Sequence, residues 1–328
     1  MSAPFRIDAP GVYEDMPAET YHADPAPEPA LSAGLAETIT TRTPLHAWCD
    51  SRRLNPDWEA ETSDRFDLGS MFHAAMTGEQ RDMVSIDAPS WQTKAAREAR
   101  DEARAAGKIA LLAKDHERVE RMCEAARAQL RAALGHDPFE IGVCEASIFW
   151  IAGPPGEIGG ECWNRCRPDG MVARGGGGAG GIIYDLKSTG ETADPVEWSK
   201  RAYRFGVDLR AAMYVEGAEA IRGGTWLYRY VPVETKPPHA LSILELDEDA
   251  IAIGRKKLAE AQRLWRECLE AGRWPAWPAR VAVVSAPRWA ESDWLAREER
   301  NEALRALSPT RSMIDAAIEF QAPARGAR

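Results

Sequence analysis

The chain lacks any long apolar run. No stretch of about 18 consecutive apolar residues, the length that a membrane-spanning helix requires, occurs among its 328 residues. Residues 1–14 also lack the basic stretch followed by an apolar one that marks a secretory signal peptide. We therefore expect no membrane association and a cytoplasmic location.

Positive charge is scarce as well. With 41 Lys and Arg against 51 Asp and Glu, the formal net charge at pH 7 is -10. A simple sequence-independent DNA-binding protein is usually basic, so the composition argues mildly against nucleic acid. A local basic channel can nevertheless exist on an acidic protein, and carboxylates that hold metal ions do not repel a metal-bridged phosphate. DNA therefore stays open as a substrate.

Cysteine is sparse and scattered. The six cysteines do not form a disulfide framework, which favours a reducing compartment. Cys144, Cys162 and Cys166 raise the question of an iron–sulfur cluster. Such a cluster needs four cysteine ligands, and the C-terminal part of the chain has no trio of cysteines, only Cys268. Cys162 and Cys166 also take the strand face opposite to Asp169. We expect buried thiols and no iron–sulfur cluster.

The chain does contain alternating strand-like and helix-like segments. Apolar runs predict strands at 143–151, 161–172, 182–187, 225–233 and 241–246. Apolar residues at three- and four-residue steps predict helices at 64–77, 93–134, 195–221, 248–272 and 294–307, with a break in the second of these near Gly107. A further helix should begin within 31–35, with Ser32 as its N-cap. The order predicts an α/β fold with a mixed central sheet flanked by helices and helical N-terminal elements.

The most informative residues lie on the predicted central strands. Asp169 belongs to an Arg-Pro-Asp-Gly sequence, and Asp185 and Lys187 follow the apolar run Ile182–Tyr184. Because alternate residues of a strand point to one face, Asp185 and Lys187 should project side by side, with Leu186 turned into the core. Asp169 should lie on the neighbouring strand, across a glycine-rich turn. Such a group suits a divalent cation and phosphodiester hydrolysis, although an acid and a lysine two residues apart are usually a solvated surface pair.

The order and spacing of these motifs resemble the RecE-like exonucleases, the exodeoxyribonuclease-eight type within the PD-(D/E)xK nuclease superfamily. Members are often encoded by phages and prophages. The likeness is carried by the segments 11–24, 31–35, 69–74, 145–148, 165–169, 185–189 and 208–214. It implies a restriction-endonuclease-like core and metal-dependent hydrolysis of DNA.

The resemblance implies a role for each matched residue of the core. Asp169 and Asp185 would ligate Mg²⁺ or Mn²⁺, with the main-chain carbonyl of Leu186 as a further ligand. Lys187 would orient the attacking water or help to deprotonate it, and would stabilise negative charge on the phosphate. Glu145, at the start of the first core strand, would reach the metal directly or through water. A solvated strand end is the alternative for Glu145.

Five more residues complete the predicted site. A lone histidine on a helix is usually a hydrogen-bonded core residue, but the resemblance favours a metal or phosphate role for His73. Arg165 and Arg167 should point to the same strand face as Asp169, because the three residues alternate along the strand. We therefore expect both arginines to contact phosphates. Tyr214 matches the family. Arg210 stands where the family usually has a glutamine, and it could contact phosphate or indicate altered activity.

By this likeness the protein would degrade one strand of linear duplex DNA, 5′ to 3′, and expose 3′ tails for a RecT-type annealing protein. A ring-shaped homo-oligomer is also implied. Two alternatives stay open: an endonuclease or flap nuclease with the same fold, and a DNA-end-binding module that has lost turnover. We expect residues 1–290 to form a single nuclease domain, with 1–142 mostly helical and 143–278 as the catalytic core, and 291–328 to form a helical extension with a frayed tail.

Overall fold

The computed structural model describes residues 6–59, 64–79, 82–153, 161–175, 179–204 and 206–307. The chain divides into two compact units, Met1–Trp277 and Pro278–Arg328. The first unit carries the sheets and all the site residues predicted above. In the second unit, the described residues form an irregular segment followed by a long helix. The tail that we expect to be frayed lies outside the described residues.

The described strands form two four-stranded sheets and one two-stranded sheet. The strands are β1 (Gly11–Tyr13), β2 (Leu31–Ser32), β3 (Met83–Ile86), β4 (Ile109–Leu112), β5 (Ser147–Ala152), β6 (Cys162–Cys166), β7 (Gly170–Ala173), β8 (Gly180–Thr189), β9 (Thr225–Glu234) and β10 (Leu244–Glu245). The first sheet has the order β1-β5-β6-β2 and the second has the order β10-β9-β8-β7. Strands β3 and β4 pair in parallel.

Ten described helices belong to the first unit and pack around these sheets, one belongs to the second unit, and several begin at a capping side chain. The helices are α1 (Ala18–His22), α2 (Ala33–Thr41), α3 (Pro44–Asp50), α4 (Asp64–Thr77), α5 (Lys94–Ala105), α6 (Ala113–Leu134), α7 (Pro138–Ile141), α8 (Pro195–Arg204), α9 (Val207–Arg222), α10 (Glu248–Ala271) and α11 (Arg288–Leu307). The predicted cap of α2 is confirmed, because Ser32 Oγ accepts a hydrogen bond from the Leu35 N–H at 3.4 Å. Within the described ranges, every helix is too short or too polar to cross a membrane.

The parallel pair β8–β9 forms the centre of the second sheet, in register from Gly180–Thr225 to Thr189–Glu234. Ile183 and Tyr228 pack on one face in a core cluster with residues of α2, α9 and α10. Tyr184 and Leu186 pack on the other face with residues of α4 and α6. Helices on both faces suit a buried parallel pair. The predicted α/β class, with mixed sheets flanked by helices, is confirmed.

Three predicted segments differ from the structure for local reasons. The strand predicted at 161–172 is two strands, β6 and β7, in different sheets, because Pro168 between them cannot donate a main-chain hydrogen bond. The helix predicted at 195–221 is divided into α8 and α9 at Gly206, whose φ of 62° is left-handed. The helix predicted at 93–134 does break at Gly107, but strand β4 follows the break. The expected single central sheet is therefore two sheets.

Candidate active site

Strand β8 presents the Asp185-Leu186-Lys187 motif in the predicted geometry. Leu186 is buried in the cluster with α4 and α6, so Asp185 and Lys187 take the opposite face. Lys187 Nζ donates a hydrogen bond to Asp185 Oδ1 at 2.9 Å, and the lysine side chain is 33% exposed. Burial lowers the pKa of Lys187, but the charges of Asp185 and Asp169 outweigh burial and raise it. Lys187 is therefore a charged hydrogen-bond donor at neutral pH.

A tyrosine that sequence analysis missed holds the second oxygen of Asp185. Tyr228 on β9 donates its hydroxyl to Asp185 Oδ2 at 2.5 Å. Its ring lies edge-on to that of Tyr214 on α9, with the centroids 6.0 Å apart. The guanidinium of Arg210, on the same helix, is 4.0 Å from the same carboxylate oxygen. No sequence signal marks Tyr228, because its position beside Asp185 depends on the register of β8 against β9.

Asp169 lies directly before β7 and turns its carboxylate to the main chain of β8. Its Oδ2 accepts a hydrogen bond of 2.6 Å from the Leu186 N–H. The antiparallel register of β7 and β8, continued by one residue, places Asp169 across from Asp185, as the sequence predicts. Burial raises the pKa of Asp169, but the charges of His73 and Lys187 outweigh burial and hold it well below its usual value. Asp169 is therefore an oriented anion.

Helix α4 brings His73 to Asp169. The adjacent Phe72 and Met76 are buried and fix this helix against the core. Nε2 of His73 is 2.9 Å from Asp169 Oδ1 and 3.4 Å from Glu145 Oε1. Burial lowers the pKa of His73, but the two carboxylates outweigh burial and raise it to about 9. A metal ion bound by this histidine must displace that proton.

Glu145 reaches the same point from a strained backbone, just ahead of β5 rather than on it. Its φ is 55°, a left-handed conformation that costs a non-glycine residue about 1–3 kcal/mol. Arg167 Nε donates to Glu145 Oε2 at 2.7 Å, and the same guanidinium donates to Ser147 Oγ at 2.7 Å and to the Met16 carbonyl at 2.9 Å. Burial and then the charge of Asp169 raise the pKa of Glu145 to about 7.

His73, Glu145 and Asp169 form a group that fits a divalent cation. One donor atom from each of the three lies within 4.8 Å of the other two. Glu145 Oε1 is buried and accepts no hydrogen bond from the described residues, with the His73 ring 3.4 Å away, so this oxygen is available to a cation. Two carboxylates and an imidazole suit Mg²⁺ or Mn²⁺. Asp185 lies outside this group, and its role as a metal ligand, with that of the Leu186 carbonyl, stays a prediction.

A cleft of about 340 Å³ opens onto this group. The four residues predicted to bind DNA line it: Arg165, Arg167, Arg210 and Tyr214. Arg165 is buried, with its guanidinium 4.9 Å from the centre of the Tyr21 ring and bonded to the Tyr21 carbonyl. Arg210 lies 3.6 Å from a carboxylate oxygen of Glu37, and Arg167 is bound to Glu145. All three arginines already have internal partners, and their contact with DNA stays a prediction.

The cysteines near the site are free thiols. Cys162 and Cys166 on β6 are buried, as expected, and burial raises the pKa of both. Cys144 is half-buried, and its thiol donates to the Phe139 carbonyl at 3.4 Å. It stays a prediction that the protein binds no iron–sulfur cluster.

The PD-(D/E)xK class is defined by sheets covered with helices and by a short acidic motif. Here Asp169 lies directly before β7, and Asp185 and Lys187 lie two residues apart on β8. A family model described as "PDDEXK-like domain of unknown function (DUF3799)" matches residues 49–285. The chain belongs to this family, and its core is the restriction-endonuclease-like fold of PD-(D/E)xK nucleases. The superfamily membership that the sequence motifs predict is confirmed.

Three solved structures illustrate the similarity. A protein from Eubacterium rectale described as a candidate exonuclease is 13% identical, with a TM-score of 0.50, and the match covers 79% of this chain and 90% of that one. A phage-related exonuclease from Haemophilus somnus 129PT is 10% identical, with a TM-score of 0.29 and coverage of 75% and 97%. An alkaline exonuclease from Laribacter hongkongensis is 15% identical, with a TM-score of 0.22 and coverage of 62% and 97%. The Eubacterium protein supports the fold alone, and no curated protein matches the chain.

Proposed function

We propose that the protein is a metal-dependent exonuclease that hydrolyses one strand of linear duplex DNA. One observation carries this proposal: His73, Glu145 and Asp169 converge within 4.8 Å, close to the Asp185–Lys187 pair. Phosphodiester hydrolysis requires a metal ion that activates the substrate and water and a positive group that stabilises negative charge. A metal-binding group beside a lysine can supply both. Membership of the PDDEXK-like family supports the same reaction class.

Mg²⁺ or Mn²⁺ is the cofactor that we propose. His73, Glu145 and Asp169 would hold it, and Asp185 is the further ligand proposed from the sequence. Such a cation, when bound, polarises the phosphodiester and lowers the pKa of a coordinated water. The chain holds the donors in place beforehand: Arg167 fixes one oxygen of Glu145, and the Leu186 N–H fixes one oxygen of Asp169.

Lys187 is proposed to stabilise the negative charge that develops on the phosphate and to orient the attacking water. Its ammonium group is partly exposed and is anchored by Asp185, whose other oxygen is fixed by Tyr228. A cation that is already in position needs little reorganisation as charge develops, so its stabilising effect is large. This arrangement makes Tyr228 a positioning residue for Asp185 and, through it, for Lys187.

The polarity of digestion, the protein partner, the oligomeric state and the location are proposed from the resemblance to the RecE-like exonucleases. The RecE-like motifs of the sequence support digestion from 5′ ends that leaves 3′ single-stranded tails. A RecT-type annealing protein would bind such a tail during recombination. A ring-shaped homo-oligomer on double-stranded DNA ends and a cytoplasmic location are proposed on the same basis.

The test is digestion of linear duplex DNA labelled separately at each strand end, with Mg²⁺ or with chelator. A covalently closed circle and the Lys187→Ala protein are run beside it. We expect Mg²⁺-dependent loss of 5′ label from the linear DNA, an intact circle and an inert variant. Cleavage of the circle would instead establish the endonuclease alternative. No cleavage with any divalent metal, together with retained DNA-end binding, would establish the binding-only alternative, for which Arg210 at the usual glutamine position is the supporting observation.

A further inference from the structure

Two further clefts adjoin the cleft at the metal-binding group. The 340 Å³ cleft above the group shares Ser32 and Arg165 with a neighbouring cleft of about 760 Å³. In addition, it shares Glu79 and Glu145 with a third cleft, of about 980 Å³. The metal-binding group therefore lies between these two neighbouring clefts, which we call the two arms, and the arms differ in chemistry.

The 980 Å³ arm is acidic. Its lining includes the carboxylates of Glu14, Asp15, Glu19, Glu79, Asp82 and Glu145. Arg167 is the one arginine among the described residues of this lining, whereas two arginines, Arg52 and Arg165, balance the two carboxylates of the 760 Å³ arm. A concave surface with this charge repels a phosphate backbone, so this arm is a poor path for a DNA strand.

The 760 Å³ arm, which we name the Trp58 cleft, offers an aromatic ring and a cation instead. Its lining includes Ser32, Thr38, Asp50, Arg52, Trp58 and Arg165. The guanidinium of Arg52 lies over one face of the half-buried Trp58 ring, 5.4 Å from its centre, so a base would stack on the other face. Asp50 accepts a hydrogen bond from Thr38 at 3.1 Å, and Arg52 also contacts Glu19, so both carboxylates already have donors. A tryptophan face beside an arginine is suited to stacking a nucleobase near its phosphate.

We propose that the Trp58 cleft binds unstacked nucleotides of the DNA strand that is cleaved at the adjacent metal-binding group, with one base stacked on Trp58. This inference rests on the proposed nuclease function and adds the path that the strand takes: along the Trp58 cleft and away from the acidic arm. The cleft volume of about 760 Å³ falls in the range of about 300–1,000 Å³ that is usual for small-ligand sites. A base inside a duplex is covered on both faces by its neighbours, so a base that stacks on Trp58 within the cleft has left the duplex stack, and we infer a single-stranded segment as the ligand.

Binding of a fluorescent single-stranded oligonucleotide, measured by anisotropy, tests the proposal. The parent is the full-length Lys187→Ala protein in Ca²⁺, so that cleavage does not interfere. In this background we expect Trp58→Ala to weaken binding about fivefold or more, because base–aromatic stacking is lost. Trp58→Phe should retain most of the affinity. Trp289→Ala, which removes an exposed tryptophan of the Pro278–Arg328 unit, should bind like the parent.

The acidic arm supplies a second control. Asp15→Asn should change affinity less than twofold, because no strand runs along that arm. An unchanged affinity in Trp58→Ala would overturn the inference and leave the nuclease function standing. Failure of the parent to bind any DNA would overturn the proposed function as well, which separates the two outcomes.

A photochemical measurement covers the case in which Trp58→Ala fails to fold. The Lys187→Ala protein, with Trp58 intact, is irradiated on an oligonucleotide that carries 5-iododeoxyuridine, and the crosslinked peptide is identified by mass spectrometry. A crosslink at Trp58 supports the proposed path. A crosslink confined to residues of the acidic arm, or to the Pro278–Arg328 unit, contradicts it.

Discussion

Arg167 holds Glu145 at the metal-binding group through a hydrogen bond of 2.7 Å between Nε and Oε2. The same guanidinium is anchored on Ser147 and on the Met16 carbonyl, so it cannot swing away without breaking two further bonds. Glu145 Oε1 is thereby directed to His73, at 3.4 Å from Nε2. We therefore propose that Arg167 positions Glu145, and its contact with DNA stays a prediction.

The Arg167–Glu145 pair predicts that Arg167→Gln weakens metal binding. Loss of a residue that orients a ligand typically lowers metal affinity about 10- to 100-fold, and we expect a decrease of this size in Mn²⁺ affinity by isothermal titration calorimetry. Arg165→Gln is the matched control, because Arg165 contacts Tyr21 rather than Glu145. Equal Mn²⁺ affinities of the two variants would show that Arg167 does not position the ligand.

Metal binding should also stabilise the folded chain. A ligand at a hundredfold excess over its Kd adds about 2.7 kcal/mol to the free energy of unfolding, so Mn²⁺ should raise the melting temperature by several degrees. The His73→Ala protein should lose most of this increase. His116→Ala, on α6, should keep it. A full Mn²⁺-induced increase in the His73→Ala protein would remove His73 from the ligand set.

The hydroxyl of Tyr228 should matter for turnover more than for DNA affinity. Tyr228→Phe removes the donor to Asp185 Oδ2 and leaves the ring in place, so we expect kcat to fall about tenfold with little change in KM, as for loss of one buried hydrogen bond to a charged group. Tyr203→Phe, at an exposed tyrosine of α8, serves as control. A KM effect without a kcat effect would assign Tyr228 to substrate binding.

Sequence reasoning succeeded where the relevant geometry is local. The two-residue period of a strand placed Asp185 beside Lys187, and the two strands that flank a glycine-rich turn brought Asp169 close to both. It failed where geometry depends on distant segments. The β8–β9 register pairs Tyr228 with Ile183, and only this register brings the Tyr228 hydroxyl to Asp185, two residues further along β8. Glu145, the partner of Arg167, has a left-handed backbone that no side-chain pattern predicts.

Gly206 should be essential for the junction between α8 and α9. Its φ is 62°, and a Cβ at this position would lie 2.9 Å from the side chain of Glu37, the partner of Arg210. Gly206→Ala should therefore lower the free energy of unfolding by about 1 kcal/mol or more, measured with urea. Gly34→Ala is the control, because a Cβ there meets nothing within 4 Å; its stability should be unchanged or higher. Equal stabilities of the two variants would contradict this account of the junction.

The central claim is that His73, Glu145 and Asp169 hold a catalytic cation. Anomalous diffraction from a crystal soaked in Mn²⁺ tests it most directly, with an Asp169→Asn crystal treated in the same way. The account predicts a peak ligated by all three residues in the native protein and a lost or much weaker peak in the variant. A native crystal with no peak at this group, or with its peak elsewhere in the neighbouring clefts, would contradict the claim.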